Sequence, residues 1–202
     1  LIESSLRSVI KGIKKKGQPI VMYVGSLSLA NNIDFLIEAS LKTRNSAQYV
    51  IVGDGPERGR LEILVERNGL PICFLGHIPK REIPDTLAQA DVCFVGFQTN
   101  PLYKYGMSAN KLWDYMMAAK PIVMSIASCN DPVEEANCGI TVSSGDSNDL
   151  AKAFDDILSL SEEERLVMGN RGKKYVVENN SYDVLGGKCL AIFEDNITKL
   201  KN

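Results

Sequence analysis

Histidine is almost missing: His77 is the single one in 202 residues. Imidazole is the commonest metal ligand and general base, so a zinc cluster or a Cys–His nucleophilic pair is excluded away from that position. A metal site would have to be built from oxygens. Cysteine is sparse, and its five residues show no C-x-x-C spacing. Cys73 and Cys93 sit inside apolar runs and read as buried thiols, which fits a reducing compartment, the cytoplasm. No apolar run approaches the roughly 20 residues that a membrane-spanning helix needs. Glu3 and Arg7 interrupt the first apolar residues, so no signal peptide is legible there. The chain opens on Leu1 rather than Met, and the expectation is a piece of a longer protein. An excess of charge is missing too. The net charge of −2 gives no basic field for nucleic acid, and Lys14, Lys15 and Lys16 read as a solvated helix end. The G-x-G-x-x-G series and the Gly-Lys-Ser/Thr loop are both absent. No carboxylate pair with glycosidase logic can be assigned, because Glu134-Glu135 and the 162–164 run sit where helices start.

What is present is a hydrophobic fraction of 45% and a charged fraction of 24%, the balance of a globular core with a solvated surface. Six short apolar runs read as strands: Ile20–Val24, Tyr49–Val52, Ile72–Leu75, Val92–Val95, Ile122–Met124 and Ile140–Val142. Helical patterns alternate with them. Residues 2 to 15 carry Leu6, Val9, Ile10 and Ile13 on one face. Asn31 or Asn32 caps a helix with Ile33, Leu36, Ile37 and Leu41 inward. Glu57 to Asn68 turns Leu61, Leu64 and Val65 inward and ends at Gly69. Ile83 to Ala90 is a short helix. Asp131-Pro132 caps and starts another. Asp146 or Ser147 opens a helix to Leu158, and Ser161 with Glu164 has capping-box spacing. Tyr182 to Leu200 is the last, with Leu185, Cys189, Ile192 and Phe193 on one face.

Strands alternating with helices, without hairpin loops, indicate an α/β fold: a doubly wound parallel sheet of six strands, Rossmann-like. Residues 1–18 read as a linker or leading helix, 19–180 as the sheet domain, and 181–202 as a C-terminal helix. With strand order 3-2-1-4-5-6, the first and fourth strands are neighbours where the order reverses, and ligands bind beyond their C-terminal ends. The loops Gly25–Asn32 and Gly96–Asn110 then face each other.

The stretch from Tyr105 to Ser125 carries most of the chemistry. Ser108 or Asn110 can cap a helix whose inward face is Leu112, Tyr115, Met116 and Ala119. Lys111 falls in its first turn, where free backbone amides and a cation suit a phosphate. Asp114 follows near it, either as an acceptor for hydroxyls or as a surface partner of Lys111. Gly25-Ser26 after the first strand lets a ligand approach the backbone, or is an ordinary turn. Gly76-His77-Ile78 closes the third strand and can offer backbone groups to a base. Phe97, Tyr103 and Tyr105 either stack on a ligand or cover the core.

YVGSL at Tyr23–Leu27, IVGDGPE at Ile51–Glu57, FLGHIP at Phe74–Pro79, ADV at Ala90–Val92 and NKLWDYMMAAKPIV at Asn110–Val123 stand in order at fitting intervals. Together they resemble the C-terminal, donor-binding domain of glycosyltransferase-B-fold enzymes in the retaining glycosyltransferase family 4, group 1. The likeness runs from about Ile20 to Leu200, and the NKLWDY variant looks like bacterial surface-polysaccharide transferases. The resemblance implies a nucleotide diphosphate sugar, of UDP or GDP type, as substrate, with no cofactor or metal required. It implies a diphosphate held by Gly25, Ser26, Ser108, Ala109, Asn110, Lys111 and Leu112, ribose hydroxyls on Asp114, and a base at His77 and Ile78. Tyr105, Gly106 and Met107 would border the donor sugar. The family's Arg and Lys after the first strand are absent, with Ser26 and Asn31 in that region. Its two spaced glutamates are Gly106 and Asp114 here. The acceptor, a glycan or lipid-linked glycan, belongs to an N-terminal domain, with peripheral attachment of the whole enzyme to the inner membrane. No catalytic residue is assignable in this domain, and alone it is expected to bind donor without transferring sugar. Two other readings share the architecture: a nucleotide-sugar 2-epimerase and a non-catalytic nucleotide-binding module.

Overall fold

The computed structural model describes residue 12 and residues 17–143 and 145–200. The helix expected over residues 2 to 15, and most of the leading segment 1–18, lie outside the described residues. Six strands form one sheet: β1 (Ile20–Val24), β2 (Gln48–Val52), β3 (Ile72–Leu75), β4 (Val92–Gly96), β5 (Ile122–Ser125) and β6 (Gly139–Val142). Every pairing is parallel, as the alternating pattern predicts, and the order is β3-β2-β1-β4-β5-β6, the one assumed above from the doubly wound class. Between them run α1 (Ile33–Ser40), α2 (Arg58–Arg67), α3 (Ile83–Leu87), α4 (Asn110–Met117) and α5 (Pro132–Glu135). After β6 come α6 (Ser147–Leu158), α7 (Glu162–Asn180) and α8 (Tyr182–Leu200).

The inner strands β1, β2, β4 and β5 are buried on both faces because they are apolar at nearly every position rather than at alternate ones, while the edge strands β3 and β6 are half-buried. Ile20, Met22 and Val24 of β1 point into a core with Leu112, Tyr115 and Met116 of α4, Val133 of α5 and Val176 of α7. Val21 and Tyr23 point the other way, into Ile33, Leu36 and Ile37 of α1, Leu61 and Val65 of α2, and Phe154 and Ile157 of α6. Burying the side chains of β1 alone contributes roughly 1.5–3 kcal/mol per large residue, before entropy is counted.

Local signals set several ends. Asp131 accepts from the amides of Val133 and Glu134, both at 3.0 Å. Asp146 caps α6 through Asn148 N at 2.8 Å. Ser161 and Glu164 form both halves of the capping box. Gly69 takes the left-handed backbone after α2, at φ +60°.

Other expectations need correction. The helix expected over Ile83 to Ala90 closes at Leu87 and is preceded by a 3-10 turn, Lys80–Glu82. Asn32 occupies the position before α1, but its backbone is left-handed and its side chain makes no capping bond. Leu41 lies beyond α1 and is exposed. Ala119 is not on the inward face of α4. It follows the helix at φ +53°, where its amide bonds Met116 O at 2.9 Å and the Lys120 amide bonds Tyr115 O at 3.3 Å. That is a Schellman ending, followed by Pro121, which cannot extend a helix. Cys93 is fully buried, and burial pushes its thiol up to about 12. Cys73 is only half-buried, because β3 is an edge strand. The apolar face expected on α8 is exposed at Leu185, Cys189, Ile192 and Phe193 among the described residues.

The seam between β1 and β4 is short. Only Val21↔Val92 and Met22↔Cys93 are paired, where each other neighbouring pair shares four or five positions. Beyond Met22 the strands part. There the Tyr115 hydroxyl of α4 accepts from Val24 N at 2.8 Å and donates to Val24 O at 3.0 Å. A phenol thus satisfies the backbone groups that a neighbouring strand otherwise would.

Candidate functional site: the crevice at the strand reversal

β1 and β4 part toward their C-terminal ends, the place where the strand order of a doubly wound sheet reverses and where such sheets form their ligand crevice. One wall is the β1 loop, where Gly25 N donates to Val52 O and Leu27 N to Asp54 O, both at 2.9 Å. The other wall is the segment after β4, which touches the first through Gln98 N and Ala30 O at 3.0 Å. It contains a 3-10 turn, Pro101–Tyr105, capped by the Asn100 side chain on Leu102 N. Asn130 then clamps the chain, accepting from Met107 N at 2.8 Å and donating to Met107 O at 2.9 Å. Gly106 stands at φ +114° and ψ +163°, a region open in practice only to glycine. Its position therefore holds no carboxylate, and Met107 beside it is buried. Phe97 and Tyr103 are half-buried and meet edge to face at 5.5 Å, covering the core, while Tyr105 stands 77% exposed.

α4 starts at Asn110, which leaves Ala109 as its N-cap. Neither Ser108 nor Asn110 caps it, and no side chain accepts from its first turn. Leu112 N bonds Ala109 O at 3.0 Å. The amides of Asn110 and Lys111 have no acceptor among the described residues. Helix starts otherwise satisfy such donors with a side chain, so this end is electrostatically open to an anion. Leu112, Tyr115 and Met116 are fully buried and fix the helix in place.

Lys111 does not pair with Asp114. It turns inward and donates to Tyr23 Oη at 2.9 Å and to Asn31 Oδ1. Desolvation lowers its pKa to about 8. A β-carbon built on Gly25 would lie 3.2 Å from the Lys111 amine, so Gly25, Ser26 and α4 do converge as the strand order requires. Asp114 is exposed; desolvation raises its carboxyl, and Lys80 pulls it down. Lys80, the cation that acts on Asp114, follows His77 by three residues. His77 is exposed, and Ile78 turns its side chain into the core, so Ile78 offers only backbone there. That loop lies two strands from β1, about 10 Å across the sheet, tied in by Gly53 N to Leu75 O at 2.9 Å and Gly76 O at 3.1 Å. The structure thus brings the Lys111 amine, from the helix start at Ala109 and Asn110, to Gly25 and, through Tyr23 and Asn31, to Ser26. Sequence reading placed Tyr115 on the inward face of the helix and Tyr23 in the first strand, but it foresaw neither hydroxyl's hydrogen bonds and gave Asn130 no role. A tyrosine inside an otherwise aliphatic strand, as at Tyr23, was the available signal.

Among the described residues, no group of three His, Cys, Asp or Glu side chains is placed to hold a metal. No described helix is long and apolar enough to cross a membrane.

An oxygen cap installed at Ala109 should act in opposite directions on fold and ligand. Its backbone is extended, at φ −129° and ψ +118°, as an N-cap requires. Ala109→Ser is expected to stabilise the free protein by about 1 kcal/mol. A phosphate must then displace the new cap, so diphosphate affinity should fall by a similar amount, about fivefold. Thermal melts and calorimetric titration check both signs. A rise in Tm with unchanged affinity would place the anion elsewhere.

Taken together, the strand reversal, the uncapped helix and the inward lysine define a Rossmann-like domain with an anion-receptive crevice. Comparison with known proteins takes this further: the chain belongs to the glycosyl transferases of group 1, which it matches over residues 18–160. It is 26% identical over 147 residues to the alpha-D-kanosaminyltransferase of Streptomyces kanamyceticus, covering 70% of this chain and 36% of that protein. Its fold is similar to sucrose-phosphate synthase from Thermosynechococcus elongatus, with a TM-score of 0.76 and 23% identity, over 90% of this chain and 46% of that one. It is also similar to Anabaena HepE, solved with UDP-glucose, with a TM-score of 0.73 and 19% identity, over 96% and 53%. The chain therefore spans about a third to a half of the length of these relatives.

Proposed function

We propose that this domain is the donor-binding half of a retaining glycosyltransferase, of family 4, that moves a sugar from a nucleotide diphosphate sugar to a glycan or lipid-linked glycan in bacterial polysaccharide synthesis. The carrying observation is the open start of α4, with two unpaired amides and the Lys111 ammonium turned toward the β1 loop. The diphosphate lies against Gly25, Ser26 and the 108–112 segment. Asp114 accepts from the ribose hydroxyls, and the backbone at His77 and Ile78 meets the base. Tyr105, Gly106 and Met107 border the sugar, with backbone in place of a carboxylate at Gly106. HepE, similar in fold, was solved with UDP-glucose, which supports a nucleotide-sugar ligand of UDP type. The acceptor is carried by the remainder of a longer enzyme on the cytoplasmic face of a membrane.

Sugar transfer leaves negative charge on the departing diphosphate. Fixed amides and one desolvated ammonium stabilise that charge without reorganising at the moment of reaction. Among the described residues we assign no general base, so the contribution proposed for this domain is binding, orientation and charge.

The test is a panel of UDP, GDP, ADP and CMP against the folded domain, read as Tm shifts and then by titration. One nucleotide diphosphate is expected to bind. Lys111→Ala should weaken it by about 1.5–3 kcal/mol, roughly tenfold to a hundredfold, while the matching nucleoside is unaffected. Equal losses for nucleoside and diphosphate would assign Lys111 to the fold instead, and no binding by any of the four would remove the donor-site reading.

A further inference from the structure

The β1 loop, Gly25 to Asn32, contains no lysine or arginine. Its nearest cation comes from across the crevice, on α4. Two side chains bring it there. Tyr23 Oη accepts from Lys111 at 2.9 Å and donates to Ser26 O at 2.7 Å. Asn31 Oδ1 accepts from Lys111, while Asn31 Nδ2 donates to Ser26 O and to Ser28 Oγ, each at 2.9 Å. The orientation of that amide is determined, because a lysine can only donate and a carbonyl can only accept. The amine lies closer to the phenol oxygen than to the ring centre, which is 4.7 Å away, so the hydrogen bond outranks the cation–π contact.

We infer that Asn31 and Tyr23 are positioning residues: they carry the Lys111 ammonium across the strand reversal to the β1 loop and aim its remaining N–H at a phosphate oxygen. An ammonium has three donors, and these two acceptors take two. Both acceptors are neutral, so Lys111 keeps its full charge for the ligand. A carboxylate in either place would cancel it. Gly25 keeps the path open, since a β-carbon there would lie 2.8 Å from Tyr23 Oη and 3.2 Å from the amine. The inference rests on the nucleotide-binding reading above.

The groups facing Lys111 are few. Tyr23 comes from β1, its phenol raised by burial and therefore neutral. Asn31 comes from the 3-10 turn Leu29–Asn31 and does not titrate. On its own helix Tyr115 is raised by burial and bonded to Val24, and Asp114 is exposed, its carboxyl raised by desolvation against the pull of Lys80. Among the described residues no carboxylate pairs with Lys111. A bound diphosphate raises the lysine pKa, so the complex holds the proton more tightly than the free protein does. Affinity for the ionised diphosphate is then full below about pH 8 and falls by up to about tenfold per pH unit above it.

The experiment is a titration of UDP, uridine and inorganic pyrophosphate into the parent, Asn31→Ala, Asn31→Asp, Lys111→Ala and the Asn31→Ala/Lys111→Ala double variant. Asn31→Ala should weaken UDP and pyrophosphate roughly three- to tenfold, the effect of one hydrogen bond, and leave uridine alone. In the Lys111→Ala background it should cost nothing more, because Asn31 acts through the lysine. Asn31→Asp keeps size and fold, weakens UDP, and moves the alkaline fall in affinity above the parent's pH. An equal loss in both backgrounds, or an unmoved pH profile in Asn31→Asp, overturns the inference. If the parent binds pyrophosphate but no nucleotide, the cradle stands and the donor reading fails. If it binds neither, both fall.

Discussion

Incubated with nucleotide sugar and cell-envelope acceptor, this chain alone should bind the donor and release no transfer product. The reading proposed above puts the acceptor on the part of the enzyme that this chain does not span; it covers 36% of the kanosaminyltransferase it matches. Holding acceptor and donor in register accounts for roughly 7–11 kcal/mol of a barrier, or about five to eight powers of ten in rate. Amides and Lys111 remain, so charge on the diphosphate is still stabilised, but nothing aligns the attacking hydroxyl and the sugar is open to water. The check is a radiolabelled donor, with an enzyme containing both domains as control. Turnover within tenfold of that control would show that the donor wall alone organises the reaction.

Gly53→Ala should be the most damaging single methyl in the crevice. Gly53 stands at φ +138°, and an added β-carbon would lie 1.9 Å from the Gly25 carbonyl oxygen and 2.9 Å from its carbon. Those are backbone atoms, locked by Gly25 N to Val52 O and Leu27 N to Asp54 O, so they cannot swing aside. Strain in the backbone costs about 1–3 kcal/mol and overpacking about as much again. Against a domain stability of about 5–15 kcal/mol, a loss of about 2–6 is large. Nucleotide affinity should fall with it, since the Gly25-Ser26 loop must move. Gly59→Ala is the control: it is exposed in α2 with open space around its α-carbon, and should stabilise by up to about 1 kcal/mol. Urea melts compare the two, and a Gly53→Ala loss under about 0.5 kcal/mol would contradict the packing described.

Features governed by neighbours along the chain were legible in the sequence. The strands are apolar runs with a Gly or Pro at one end or both, and their parallel direction follows from the helices lying between them. Asp131, Ser161 with Glu164, and Gly69 act on amides within a few residues, so spacing alone reveals them. The start of α4 was misread because Ser108 and Asn110 are both good caps, and tertiary packing of Leu112, Tyr115 and Met116 places the boundary so that Ala109 falls at the cap instead. Ala119 continues the helical spacing, but the Schellman turn and Pro121 end the helix first. The Tyr23–Asn31–Lys111 cluster joins residues 80 and 88 apart, and no local pattern encodes it. Asn31 looked like a cap because asparagine favours caps. Its amide is spent on Ser26, Ser28 and Lys111 instead.

The short seam has a consequence for the order in which the chain acquires its structure. β1, β2 and β3 pair within one contiguous stretch, and β4, β5 and β6 within the next. Each half can therefore close its own ladder through nearby partners before the halves meet, since short loops cost least to close. Along the strands, their junction has two paired positions, the Ile20–Asp91 bonds at one end and one phenol at the other. The bond from Val24 N to Tyr115, 91 residues away, cannot form until α4 is seated on a completed core. Val24 belongs to the first strand in the sequence, yet its amide should be among the last in β1 to gain protection as the protein folds.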